Sequence, residues 1–342
     1  MRKKTLWIDS TILKINQNCG MATFTNTYIE ILKNNYNIKY FYNPFYKYRS
    51  IGAKLYFLWL NTYFYLITLL QKPNIIIFPC YLMPYFTRKK TKYYVVFHDL
   101  IPYRKKFFGE KAKKSYLFKL NIAKKKANKI ITVSNTVKQQ LINEFNINNT
   151  KIGVTYNSIN ENIKIIKEDL NILKKLNLET DCYIFSLVGS FKHKNIESLV
   201  SAMQDINNIK LVISGYKGNI EYSNINNKSI IYTGCLTNEE VITLYKNAKI
   251  FVIPSLEEGF GIPIIEAQYF NCPVLCSNIP VFKEVAGDGA EFCNTDSKSI
   301  AKKLEFLINN KQRRQELISL GQQNVKRFSK EKIAKQLEEC LK

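Results

Sequence analysis

The sequence predicts an α/β protein of two doubly wound domains, and three observations carry that prediction. Short apolar runs rich in Ile, Val, Phe and Tyr alternate with stretches of helical periodicity along almost the whole chain, which is the pattern of parallel sheets covered by helices. At 342 residues the chain is longer than one ordinary core supports. The segment 157–181, polar and charged at its start, separates the two series of strands and holds the expected domain junction.

In the first series, strands are expected at 5–8, 38–42, 74–78, 93–97, 129–133 and 152–156, each a short run rich in β-branched and aromatic residues. Between the second and third lies 53–70, eighteen residues of mostly Leu, Tyr, Phe, Trp and Ile, close to the lower limit for a membrane span. Lys54, Asn61 and Thr68 recur there every seven residues and, with Thr62, give a helix a narrow polar stripe, so the reading is a helix buried against the first sheet, with a membrane span the weaker alternative and a surface-lying helix intermediate between the two. The second series has strands at 183–188, 210–214, 229–232, 250–253, 274–276 and 290–293. Asn271 suits a left-handed helix cap, and 299–342 reads as two or three helices. No repeat or low-complexity tract appears.

Eight cysteines lie far apart, without a C-x-x-C pair, and the chain has two histidines. Buried free thiols in a reducing compartment are expected, and zinc or disulfide frameworks are disfavoured. The apolar run at Leu6-Trp7-Ile8 is too short for a secretory signal and is interrupted by Asp9, so a strand start in a cytoplasmic protein is expected.

The formal charge of +24 is unevenly placed. Residues 1–160 hold 27 Lys or Arg against 5 Asp or Glu, a net +22, whereas residues 161–342 hold 24 against 22, a net +2. Between Arg104 and Lys129 eleven basic residues face one acid, Glu110, with Tyr103, Phe107, Phe108, Tyr116 and Phe118 interleaved. Such a stripe suits an anionic membrane surface; a solvated lysine-rich face is the plainer alternative.

The chemistry concentrates at 254–288. The run Ile250 to Ile253 reads as a buried parallel strand, and the turn after it carries Gly259 and Gly261, where a backbone can approach a ligand closely. Pro263 suits the first turn of a helix, whose unpaired N–H groups and dipole favour phosphate oxygens. Glu258 precedes the turn and Glu266 follows about one helical turn inside, so both can face one crevice at the carboxyl end of a strand. Carboxylates there repel phosphate but accept hydrogen bonds from hydroxyls. A ligand with sugars on either side of a diphosphate satisfies both demands. Each glutamate alone could be an exposed helix residue; the whole string is far rarer.

That string resembles the signature of the retaining glycosyltransferases of family 4, which have the GT-B fold: two Rossmann-like doubly wound domains facing across a cleft. Further blocks are similar in order and spacing: Thr233-Gly234-Cys235-Leu236-Thr237 and Leu244-Tyr245-Lys246-Asn247-Ala248, Val188-Gly189-Ser190-Phe191-Lys192-His193-Lys194-Asn195, and, in the first half, His98-Asp99-Leu100-Ile101-Pro102, Ile131-Thr132-Val133-Ser134 and Tyr156-Asn157-Ser158. The resemblance implies an acceptor-binding domain over 1–160, a donor-binding domain over 161–328, and a last helix, about 329–342, that packs back on the first domain.

It also implies roles. Glu258 would meet the donor sugar's hydroxyls, the backbone of Gly259, Phe260, Gly261 and Ile262 the sugar and diphosphate, and Glu266 both ribose hydroxyls. Lys194 would balance charge growing on the departing diphosphate. Where the family has an arginine nearby, this chain has Ser190 and His193, and Lys192 or His193 stands as the substitute. His98 would contact the donor sugar, with Asp99 on the acceptor side; Cys235 and Leu236 would reach the base, and Gly20 would cradle the diphosphate. Cys19 and Thr23 depart from the family pattern around Gly20, so a plain turn glycine stands beside that reading. Ser134 and Asn157 look like framework positions at strand ends.

No cluster has metal-ligand spacing and no D-x-D signal appears, so the expected site works without a divalent ion and without a cofactor beyond the donor itself. The expected function is retaining transfer of a sugar from a nucleotide-diphosphate sugar to a lipid-linked or membrane-proximal glycan, by a cytoplasmic protein peripheral on the inner face of the plasma membrane. A basic nucleic-acid-binding protein is the competing class, supported by charge but by no recognisable motif. An epimerase or phosphorylase on the same two domains is the third reading.

Overall fold

The computed structural model describes residues 3–17, 19–159, 163, 165–215 and 229–342. They form two compact units, Met1–Ser158 with Lys330–Lys342, and Ile159–Ser329. The expected boundary at 160/161 lies outside the described residues; the units divide between Ser158 and Ile159.

The first unit runs β1 (Lys4–Asp9), α1 (Thr11–Ile15), α2 (Gly20–Leu32), β2 (Tyr36–Phe41), α3 (Arg49–Asn61), α4 (Tyr63–Gln71), β3 (Ile75–Phe78), β4 (Lys92–Phe97), α5 (Lys105–Lys126), β5 (Lys129–Thr132), α6 (Asn135–Phe145) and β6 (Ile152–Val154). Its six strands are parallel in the order β2-β1-β3-β4-β5-β6. The central β3 is Ile-Ile-Ile-Phe with every side chain buried, as a strand covered on both faces must be.

The second unit runs α7 (Asn171–Lys175), β7 (Tyr183–Leu187), α8 (Ile196–Ala202), β8 (Lys210–Ser214), β9 (Ile230–Gly234), α9 (Asn238–Asn247), β10 (Ile250–Ile253), α10 (Ile262–Tyr269), β11 (Val274–Ser277), α11 (Pro280–Ala286), β12 (Ala290–Cys293), α12 (Ser297–Asn309) and α13 (Lys311–Asn324). Its sheet is also parallel, in the order β12-β11-β10-β7-β8-β9. The chain then returns to the first unit as α14 (Lys330–Leu341), which packs on β5, β6 and α2. There the Tyr94 hydroxyl donates to the Leu341 carbonyl (2.7 Å) and the Tyr156 amide to Gln336 Oε1 (2.9 Å).

Three details depart from the sequence reading. The helix expected over 53–70 is two helices, broken at Thr62 (φ −120°, ψ −92°). Tyr56, Leu60, Phe64 and Thr68 form the buried stripe, so the seven-residue polar series does not face water as a unit: Thr68 is buried, and Leu58, Leu66 and Leu70 are exposed instead. Among the described residues no helix is long and apolar enough to cross a membrane. All eight cysteines are free; Cys182 and Cys235 are exposed, outside the expectation of buried thiols. Of the basic stripe, Arg104 is held by Glu144 through two bonds of 2.6 and 2.7 Å and so is neutralised locally. As expected, Asn271 takes a left-handed turn (φ 60°) after α10.

Candidate functional site

β7 and β10 are neighbours, yet the chain reaches β10 only after building β8 and β9 on the far side of β7. The loops that leave these two strands therefore diverge, and the crevice at their carboxyl ends is the topological switch point where open α/β sheets bind ligands. Lys194 follows β7 and Glu258 follows β10, so both stand at this point.

The two loops are tied together by the backbone. The Leu256 amide donates to the His193 carbonyl (2.7 Å), and Asn195 Nδ2 donates to the carbonyls of Pro254 (3.0 Å) and Thr295 (2.8 Å). Asn195 adopts a left-handed conformation (φ 56°) that lets the chain turn from the short 3-10 segment Lys192–Lys194 into α8. On this frame Lys194 Nζ reaches Glu258 Oε1 at 2.6 Å, and Ser255 Oγ donates to the same oxygen at 2.8 Å. Both side chains are mostly buried, so the pair is poorly screened.

The turn itself explains its glycines. Gly261 has φ 109°, and a Cβ there would lie 2.9 Å from a ring carbon of Phe282. Neither the conformation nor the space admits a side chain. Phe260 turns its ring into the core, edge-on to Phe328 at 5.5 Å, so the group it can offer a ligand is its backbone. Ile262 and Pro263 then open α10, where proline is tolerated because its missing N–H has no intrahelical partner.

Glu266, one turn into α10, accepts a bond from the buried Tyr245 hydroxyl at 3.3 Å. Part of its surface meets solvent, but the carboxyl is crowded closely enough that burial raises its pKa to about 7. His193 is buried and stacks on Phe191 with ring centroids 5.7 Å apart. Burial, with the Lys194 charge adding to it, lowers its pKa to about 4. His193 is therefore neutral at neutral pH and does not supply a second cation, whereas Lys192 is exposed on the same turn. Ser190 is also exposed. Cys235 and Leu236 follow β9 at the same edge of the sheet, between Gly234 (φ 68°) and Thr237, which caps α9 in a reciprocal capping box with Glu240.

The remaining residues expected at the site belong to the first unit. Gly20 is the opening residue of α2, and Phe24 on that helix packs edge-on to His98 with centroids 4.9 Å apart. His98 follows β4, is buried, and bonds through Nε2 to the Pro79 carbonyl (2.7 Å). A carbonyl only accepts, so Nε2 carries the proton, and burial lowers the imidazole's pKa to about 4. Asp99 Oδ1 accepts from the Ile101 amide (2.9 Å), fixing the turn that follows. Ser134 caps α6 through the Val137 amide, and Asn157 is buried.

Several residues with clear work were not singled out in the sequence. Ser255 and Asn195 shape the Lys194–Glu258 contact; the signal for Asn195 was its place directly before a helix. Asp9, at the carboxyl end of β1, accepts from the Tyr56 hydroxyl (2.7 Å) and from both the amide and hydroxyl of Thr11, and burial raises its pKa. Among the described residues no group of three or more His, Cys, Asp or Glu is placed to hold a metal ion.

Comparison with known proteins gives a consistent result. The model of glycosyl transferases group 1 matches residues 168–324, and that of glycosyltransferase family 4 matches residues 24–162. The O-antigen chain mannosyltransferase RfbU of Salmonella typhimurium is 32% identical over 213 residues, 60% of this chain and 57% of that protein. The O-antigen chain mannosyltransferase B of Escherichia coli is 30% identical over 207 residues, 56% of this chain and 54% of its own length. The chain thus spans little more than half the length of these curated relatives. A sucrose-phosphate synthase from Thermosynechococcus elongatus superposes with TM-score 0.77 at 16% identity, covering 98% of both chains. Anabaena HepE in complex with UDP and glucose superposes with TM-score 0.72 at 16% identity, covering 99% of both.

Proposed function

From a chain that belongs to the family-4-like glycosyltransferases of the GT-B fold, we propose a transferase that moves a hexose from a nucleotide-diphosphate sugar to a hydroxyl of a lipid-linked or membrane-proximal surface glycan, with retention and an α-linkage. The observation that carries this reading is the Lys194–Glu258 contact at the switch point of the second sheet, beside the glycine turn that opens α10. Mannose is the first sugar to test, because RfbU and mannosyltransferase B are mannosyltransferases.

In this reading the second unit binds the donor. Glu258 uses Oε1 for Lys194 and Ser255 and offers Oε2 to a sugar hydroxyl. The backbone of Gly259, Phe260, Gly261 and Ile262 takes the sugar and diphosphate, and Glu266 accepts from the ribose hydroxyls. When the diphosphate departs, Lys194 meets its growing charge in a partly dry site, where electrostatic stabilisation is strongest. The departing phosphate oxygen takes the acceptor's proton on the same face, so no protein carboxylate is required as nucleophile. His98, neutral and fixed by Pro79, serves as a hydrogen-bonding group and not as a cation. The first unit binds the acceptor, and the exposed lysines of α5 favour an anionic leaflet.

The purified chain, given GDP-mannose, UDP-glucose and their free nucleotides, is expected to bind one nucleotide and to release it slowly from its sugar, with release lost in Glu258→Ala. Failure of every nucleotide diphosphate to bind would remove the donor assignment. A product whose one-bond C1–H1 coupling at the anomeric centre reports inversion would remove the retaining one.

A further inference from the structure

We propose that α3 and α4 are a membrane-inserting surface whose outward leucines and aromatics enter the acyl region of an anionic phospholipid leaflet. The proposal rests on the membrane-proximal reading above and adds a contact that charge alone does not supply.

From Leu55 onward the two helices are apolar on both sides. Their inward stripe, Tyr56, Leu60 and Phe64, packs on the first sheet, with Phe64 edge-on to Trp7 at 5.7 Å. Their outward positions should then be polar, as on an ordinary surface helix. Instead Leu58 is 60% exposed, Leu66 57% and Leu70 80%, and Tyr63 and Leu69 are exposed too. No charged residue occurs from Leu55 to Gln71. The patch continues onto Phe86, also exposed, because Asn61 Oδ1 accepts from the amides of Tyr85 (2.7 Å) and Phe86 (2.9 Å) and holds that segment against the break between the helices. A cluster of exposed apolar side chains of this kind marks an interaction surface.

The charge around it selects the partner. Residues 31–143 contain 22 Lys or Arg and two acids, Asp99 and Glu110. Lys126 of α5 lies over the Tyr85 ring at 4.5 Å, and Phe118 of α5 meets Phe57 of α3 at 5.2 Å, so the basic helix borders the apolar pair directly. A second copy of this chain would bring like charge against like charge. A surface of leucine with Tyr and Phe, bordered by lysines, matches the interfacial region of an anionic bilayer in its chemistry.

Vesicles of phosphatidylcholine and phosphatidylglycerol (2:1) test this, with the intact protein in 0.1 and 0.5 M NaCl. Binding is expected to weaken with salt but to persist at 0.5 M, and the double substitution Leu66→Glu, Leu70→Glu is expected to lower partitioning at least ~10-fold while leaving donor hydrolysis in solution unchanged. Independently, Leu70→Trp is expected to add fluorescence that lipids brominated on the acyl chain quench. Salt-reversible binding indifferent to the double substitution, or no quenching of the added tryptophan, overturns the proposal. So does sedimentation showing a dimer that the double substitution dissociates without changing vesicle binding. If no donor is bound or hydrolysed, the transferase reading fails while the vesicle and quenching results still decide the insertion.

Discussion

Lys194 Nζ stands 2.6 Å from Glu258 Oε1, although the two residues lie 64 positions apart and on different loops. In the proposed reading Lys194 faces the diphosphate while Glu258, held through Oε1 by Lys194 and Ser255, turns Oε2 to the sugar. Lys194→Ala is expected to lower donor turnover ~10²–10³-fold, the range for removing one group that stabilises transition-state charge. Steady-state kinetics with the preferred donor check this, and a loss confined to KM would show that Lys194 binds without acting on the departing group.

Glu266 gives a pH dependence. With its pKa raised to about 7, the carboxyl is partly protonated at neutral pH, while the proposed role toward two ribose hydroxyls needs the ionised acceptor. Nucleotide affinity is expected to be level above about pH 8 and to weaken, by up to ~10-fold per unit, as pH falls below 7. Calorimetric titration should find that slope absent in Glu266→Gln. The same shift acts on the fold with the opposite sense: a raised carboxyl pKa stabilises fully below the unfolded value and loses that contribution as pH rises through 7. Glu266→Gln should therefore gain on the parent protein in melts at pH 8 relative to pH 5.

Both histidines of the chain are held near pKa 4 by burial. Neither is expected to titrate between pH 5 and 8, and imidazole resonances followed by NMR should stay fixed across that range. Because the folded values lie below the unfolded one, the contribution to stability is whole above about pH 6.5 and is lost as pH falls through 4. An activity profile with a limb near 6.5 that vanishes in His98→Gln would refute the neutral assignment.

Gly261→Ala combines a left-handed backbone with a contact of 2.9 Å to Phe282. A destabilisation of ~1–3 kcal/mol is expected, measured as a lower denaturant midpoint. Donor binding should fall further than stability explains, because the turn offers backbone groups whose positions would shift. Unchanged binding at reduced stability would confine the glycine to a structural role.

The sheets and their turns were legible because parallel central strands carry their signal locally. Ile75 to Phe78 and Ile250 to Ile253 are apolar at every position, and the glycines after the latter mark the turn without reference to anything distant. Strand ends were less legible: β9 begins at Ile230 and ends at Gly234, because it is a half-buried edge whose pairing, not its own composition, fixes its limits. The Lys194–Glu258 contact was invisible as a contact, since it depends on two loops meeting; the sequence assigned each residue a separate task. Asp9 looked like the end of an apolar run and became a buried acceptor once Tyr56 arrived from α3. The outward face of α3 and α4 was misjudged for the same reason: periodicity reports which residues are apolar, but not which side finds a neighbour.

The return of α14 to the first unit sets an order of assembly. The second unit is a single uninterrupted stretch, 159–329, and has all its parts once that stretch has left the ribosome. The first unit begins earlier yet lacks the helix that covers β5 and β6 until residue 341 emerges. The half synthesised first is thus completed last, and a nascent chain with only residues 1–329 outside the ribosome would present a finished neighbour attached to a strongly basic unit whose β5 and β6 are still uncovered, a natural client for a chaperone.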